Sequence, residues 1–88
     1  MDTFDVILVA RSNLDLAPEK FERQVAMIRP LMDWDAAAST WWSRLSGSRP
    51  QHVTEVINTL FEAARVYGTT VTVQLVPAQE MDRAATPD

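Results

Sequence analysis

Apolar and polar positions change their spacing several times along the chain, and each change marks an element. Residues 3–10 read Thr-Phe-Asp-Val-Ile-Leu-Val-Ala, a β-branched run that predicts a strand buried on both faces or nearly so. A helix with Phe4 and Leu8 on one face is the other option; Val6-Ile7-Leu8-Val9 favours the strand. After a connector, Pro18 stands where a helix tolerates proline, with Glu19 behind it near the positive end of the dipole. Phe21, Val25, Ile28 and Met32 follow at the spacing of an amphipathic helix, and Pro30 should end or kink it near Ile28.

The middle of the chain, Trp-Asp-Ala-Ala-Ala-Ser-Thr-Trp-Trp-Ser-Arg-Leu-Ser-Gly-Ser-Arg-Pro over residues 34–50, is expected to be a second, short helix. Asp33 is placed to cap it, Gly47 to close it in the left-handed conformation and Pro50 to forbid its continuation. Trp34, Ala38, Trp41 or Trp42, and Leu45 would form its apolar face. Neighbours on a helix diverge by about 100°, so Trp41 and Trp42 could not both reach one core. Pro50 opens a third helix, with Val53, Val56, Ile57, Leu60, Ala64 and Tyr67 inward and Gly68 as its stop. Residues 70–76, Thr-Val-Thr-Val-Gln-Leu-Val, alternate with period two and predict a strand with Val71, Val73 and Leu75 on the core and Thr72 and Gln74 outward. The expected fold is therefore α+β: three helices packed on a short two-stranded sheet, in the order β-α-α-α-β. Residues 1–77 would be a single compact domain and 78–88 a flexible tail. A two-stranded sheet has little stability alone. Its edges call for cover by helices or by a second chain, which makes a homodimer through sheet edges an expectation.

Composition narrows the chemistry. Eighty-eight residues make one domain with a modest core. There is no cysteine, hence neither disulfide framework nor thiolate chemistry. No apolar run approaches the roughly 20 residues of a membrane span, and no basic leader precedes one; a cytoplasmic protein with no membrane association is the expectation. His52 is the one histidine, and the glycines are Gly47 and Gly68, which excludes a histidine metal cluster and a glycine-rich phosphate loop. Ser39, Ser43, Ser46 and Ser48 have no partner that would activate a nucleophile. Asp33 and Asp35 flank Trp34 and read as a cap. No enzyme activity, cofactor or metal is expected.

The net charge is −4, which counts against indiscriminate nucleic-acid binding. Its distribution is uneven: no acid occurs between Ala36 and Thr54, where Arg44, Arg49 and His52 lie. Ser39, Thr40, Trp42, Ser43, Arg44, Arg49 and His52 are accordingly the candidate binding residues, with an exposed Trp beside Arg44 marking a contact surface.

Two segments, Leu-Ala-Pro-Glu-Lys-Phe-Glu-Arg-Gln-Val-Ala from Leu16 and the tryptophan-bearing stretch from Trp34 to Pro50, resemble the Cro/repressor-type helix-turn-helix family. The ending from Ile57 to Pro77 is similar to the last helix and terminal strand of antitoxin-like members. The segment 27–33 is longer than that family's turn. The resemblance implies a helix-turn-helix-like core, a DNA-binding regulator of repressor or antitoxin type, and double-stranded DNA as partner. The helix 36–46 would lie in the major groove, with Ser39, Thr40 and Ser43 at bases or phosphates, Arg44 at a guanine edge or phosphate, and Arg49 and His52 at the backbone. The alternative is a small acidic protein-interaction module, an inhibitor, immunity protein or adaptor, binding through residues 34–49. Trp42-Ser-Arg-Leu-Ser-Gly and the helix-Gly-strand ending faintly resemble barstar-like inhibitors, whose acidic recognition residues and middle strand are missing here.

Overall fold

Central to the structure is one strand with a neighbour on each side. The computed structural model describes residues 4–78. Within them lie β1 (Phe4–Arg11), α1 (Pro18–Ile28), β2 (Asp33–Asp35), β3 (Thr40–Ser46), α2 (Pro50–Tyr67) and β4 (Thr70–Pro77). The strands form one antiparallel sheet in the order β2-β3-β1-β4. This is the split β-α-β-β-α-β arrangement, in which α1 carries the chain from β1 to β2 and α2 from β3 to β4, each passing over a strand.

Four elements follow the hydrophobic pattern. β1, α1, α2 and β4 stand where the periodicity places them, and Gly68 ends α2 at φ 79°. The architecture corrects the expectation: it is α+β, but among the described residues two helices pack on a four-stranded sheet, and these contain no helix-turn-helix core. The stretch expected to be the middle helix is a hairpin, β2 and β3 joined by a turn. Asp35 does cap backbone N–H groups, but those of a turn: its Oδ1 accepts from Ala37 at 3.1 Å and Ala38 at 3.3 Å. Ser39 completes the reversal at φ 56°. Gly47 does not adopt the left-handed conformation; it lets the chain pass close to Phe4, whose carbonyl accepts its N–H at 2.8 Å.

Both helices cover the same face of the sheet. Val6, Leu8 and Ala10 of β1 and Trp41 of β3 meet Ile28, Met32, Val56 and Leu60 there. Leu8, Ile28 and Leu60 are wholly buried, each contributing on the order of 2 kcal/mol from burial. The alternation of β1 leaves Ile7 and Val9, half-buried, on the face without helices. β4 departs from expectation. Val71, Val73 and Leu75 stand opposite Ala10, Leu8 and Val6 and so share the helix face. Val71 packs against the core, yet Val73 is 49% and Leu75 64% exposed. Of the expected tail, Ala78 is buried and the rest lies outside the described residues. Among the described residues no helix is long and apolar enough to cross a membrane.

Candidate binding cleft

A cleft of about 1010 Å³ opens between α1, the loop leaving β1, and the β2–β3 hairpin. Each wall follows from local sequence. Phe21 and Val25, one helical turn apart, present the apolar stripe of α1. Met32 arrives after Pro30 has ended that helix. Trp34 of β2 and Trp41 of β3 are directly opposite across the strand pair, so both point to the helix side. Their ring centroids are 5.0 Å apart with planes inclined by 60°. Trp41 is buried, while Trp34 is 52% exposed and forms the open wall.

The polar groups are few. Ser12 Oγ accepts the Trp41 indole N–H at 3.2 Å, fixing the ring and tying the β1 loop to β3. Arg11 ends β1 and Arg29 ends α1, the latter where the helix dipole favours a cation. Asp33 lies in the same lining. Among the described residues neither Arg11 nor Arg29 takes part in an ion pair. Arg11 lies opposite Thr70, so its side chain leaves the strand on the helix-free side, and Arg29 is the cation that stands beside Asp33 at the rim.

A buried amide holds the loop in place. Gln24, wholly buried on α1, accepts the Asn13 backbone N–H at 2.8 Å and the Thr69 hydroxyl at 2.5 Å through Oε1. Its Nε2 donates to the Asn13 carbonyl at 3.1 Å. The Asn13 side-chain amide in turn donates to the Tyr67 carbonyl at 2.9 Å. Asn13 sits between Ser12 and Leu14, both of which line the cleft, so this network sets one of its walls.

The candidate residues read from sequence do not share a surface. Only Ser39 lines the cleft. Thr40 and Ser43 are buried, so neither is available to a partner. Trp42, 40% exposed, and Arg44 point to the sheet face without helices, because alternate residues of a strand face opposite ways. Arg44 is committed to the fold: its Nε donates to Asp5 at 2.8 Å and an Nη to the Pro77 carbonyl at 3.1 Å, linking β3 to β1 and β4. Arg49 and His52 stand at the start of α2 beside a shallow depression. No recognition helix runs through residues 36–46. Phe21, Arg29 and the Trp34–Trp41 pair are the residues the sequence reading missed as a site. The signal for them was a Trp on each side of an Asp-Ala-Ala-Ala-Ser turn.

Among the described residues no three His, Cys, Asp or Glu side chains gather as a metal site. The cleft's chemistry is that of an aromatic slot with a cation, Arg29, at its rim. No family model matches the chain, and neither curated proteins nor solved structures return a match. The functional assignment therefore rests on the geometry of this cleft.

Proposed function

We propose that the chain is a binding protein, without catalytic activity, for a small aromatic or otherwise apolar carboxylic acid held in the cleft. The single observation that carries this is the combination of the half-open Trp34–Trp41 wall with Arg29 in one lining. Ligand sites are mostly apolar concavities in which a few polar groups fix orientation. Here the apolar body would lie against Trp34, Phe21 and Val25, and the carboxylate would reach a guanidinium, a planar donor matched to it. A ligand of about 15 heavy atoms at roughly 0.4 kcal/mol each gives a Kd on the order of 10–100 μM.

The test is a titration with 2-naphthoate followed by tryptophan fluorescence, with 2-naphthamide as the uncharged comparison. Saturable quenching by the acid is expected, weaker by about tenfold for the amide and for Arg29→Gln, and lost in Trp34→Ala. Equal binding of acid and amide would remove the role of Arg29, and no saturable response to either would remove the proposal.

The helix-free face of the sheet, with Trp42 half-open above Ile7 and Val9, supports the protein-module reading as a second surface. A partner that co-purifies at fixed stoichiometry and is lost on Trp42→Ala would establish it. The duplex-DNA reading now lacks a recognition helix, and Arg49 and His52 are what remain of its basic patch. Titrating labelled duplex at two salt concentrations is its test, with steeply salt-dependent binding as the supporting result.

A further inference from the structure

The sheet has two edges, and they are built differently. β2 is three residues long and carries Asp33 and Asp35; shortness and charge are the usual protections against pairing with another chain. β4 is eight residues long and, among the described residues, bonds to β1 on one side only. No charged residue occurs between Arg65 and Glu80. Its outer side is a row of backbone donors and acceptors with none of the charges that would deter a second strand.

The side chains beside that edge are apolar and open. Besides Val73 and Leu75, Phe61 of α2 is 66% exposed. Phe61 follows the buried Leu60 by about 100° of helical turn. With right-handed crossovers, this flank of α2 faces away from α1 and toward β4. The three side chains leave on the order of 300 Å² uncovered, the size of the largest apolar patch on an ordinary monomer.

We propose that a second copy of the chain covers this edge, β4 pairing antiparallel with the partner's β4 about a two-fold axis at Val73 to make one eight-stranded sheet. The choice of a second copy rests on self-complementarity. A two-fold at Val73 sets that residue against itself and Val71 against Leu75 of the partner subunit, all on the helix face. Thr72 meets Gln74 of the partner subunit on the other face, polar against polar. Thr70 to Val76 all find partners, and Pro77, which has no N–H to give, falls just outside. Two chains of charge −4 thus meet through a strip that carries none. With the paired backbone added, the interface reaches about 1,000 Å² in total, the lower bound for a specific one. The cleft lies at the opposite, β2 side of the sheet, so this association stands independently of the ligand proposal.

The chain contains no cysteine, which makes a single introduced one diagnostic. Residues directly opposite in an antiparallel pair have Cβ atoms about 4.5–5.5 Å apart, close enough for a disulfide after slight adjustment. The full chain should sediment as a dimer toward hundreds of micromolar. Val73→Cys should cross-link to itself under mild oxidation, whereas Thr72→Cys, which faces Gln74 of the partner subunit, should not. Val73→Lys opposes two ammonium groups and should raise the dimer Kd at least tenfold with the circular dichroism unchanged. A monomer throughout that range, a dimer that survives Val73→Lys, or cross-linking of Thr72→Cys in preference to Val73→Cys would each overturn the proposal.

Discussion

Replacing Gln24 by Leu should be among the most damaging single changes outside the apolar core, and its size follows from the hydrogen bonds. The substitution roughly conserves volume and removes three bonds at once. The Asn13 N–H, the Asn13 carbonyl and the Thr69 hydroxyl lose their partner. Thr69 is buried, so its hydroxyl carries most of a desolvation penalty, about 1–3 kcal/mol. Asn13 is half-buried and water recovers part of its loss. Leu returns about 1 kcal/mol through its apolar surface. The net is a loss of about 2–4 kcal/mol, against a total near 4–13 kcal/mol for a domain of this size. Urea denaturation followed by tryptophan emission should show the midpoint falling by about 2 M, and the melting temperature should fall by about 10–25 °C. Because Ser12 and Leu14 flank Asn13, naphthoate affinity should weaken as well, even well below the melting point. A loss under about 1 kcal/mol would mean that the network is not what joins the β1 loop, α1 and the α2–β4 junction.

Other substitutions test other joints. At Gly47 an added Cβ would stand 2.4 Å from the Phe4 carbonyl oxygen, so Gly47→Ala should cost about 2–3 kcal/mol by thermal unfolding; a neutral effect would mean the β1–β3 end yields easily. Arg44→Ala should destabilise by about 1–3 kcal/mol, because it removes the cation 2.8 Å from a largely buried Asp5 carboxylate. Arg49→Ala, at an exposed position, should stay within about 0.5 kcal/mol; equal effects would refute the structural role assigned to Arg44. Ser39→Val forces a β-branched residue into φ 56° and should cost about 1–3 kcal/mol, lowering naphthoate affinity by displacing Trp34. Stability without affinity loss would separate the turn from the cleft.

What the sequence disclosed is uneven for identifiable reasons. β1 and β4 are β-branched, α1 and α2 have full apolar stripes with Pro at the start, and Gly68 ends a helix in the left-handed conformation. Residues 34–46 misled because turn and helix-start chemistry coincide: an Asp accepting N–H groups two and three residues on describes both an Asx turn and an N-cap. Three alanines then favoured the helix by propensity. The mark of a strand is Trp41-Trp42-Ser43-Arg44-Leu45 itself, where Trp41, Ser43 and Leu45 share one face and Trp42 and Arg44 the other. That alternation still sends the two adjacent tryptophans apart, for a reason other than helical rotation. The cleft was not legible, since Phe21, Arg29 and Trp34 come from three separated places and meet only once the sheet order is known. Gln24 lies within the stripe of α1 as its one polar member, and period alone does not reveal what it bonds to.

The two indoles on the β2–β3 hairpin also give the molecule an optical signature. Rings 5.0 Å apart and inclined by 60° are close enough for their electronic transitions to mix, and mixing between dissymmetrically placed chromophores splits one band into a pair of opposite sign. The far-ultraviolet spectrum of this protein should therefore carry a couplet beneath the helical bands, and helix content estimated without allowing for it will be wrong. The same couplet reports on the hairpin alone, and would fade as soon as Trp34 swings away from its neighbour, whether or not the rest of the chain has moved.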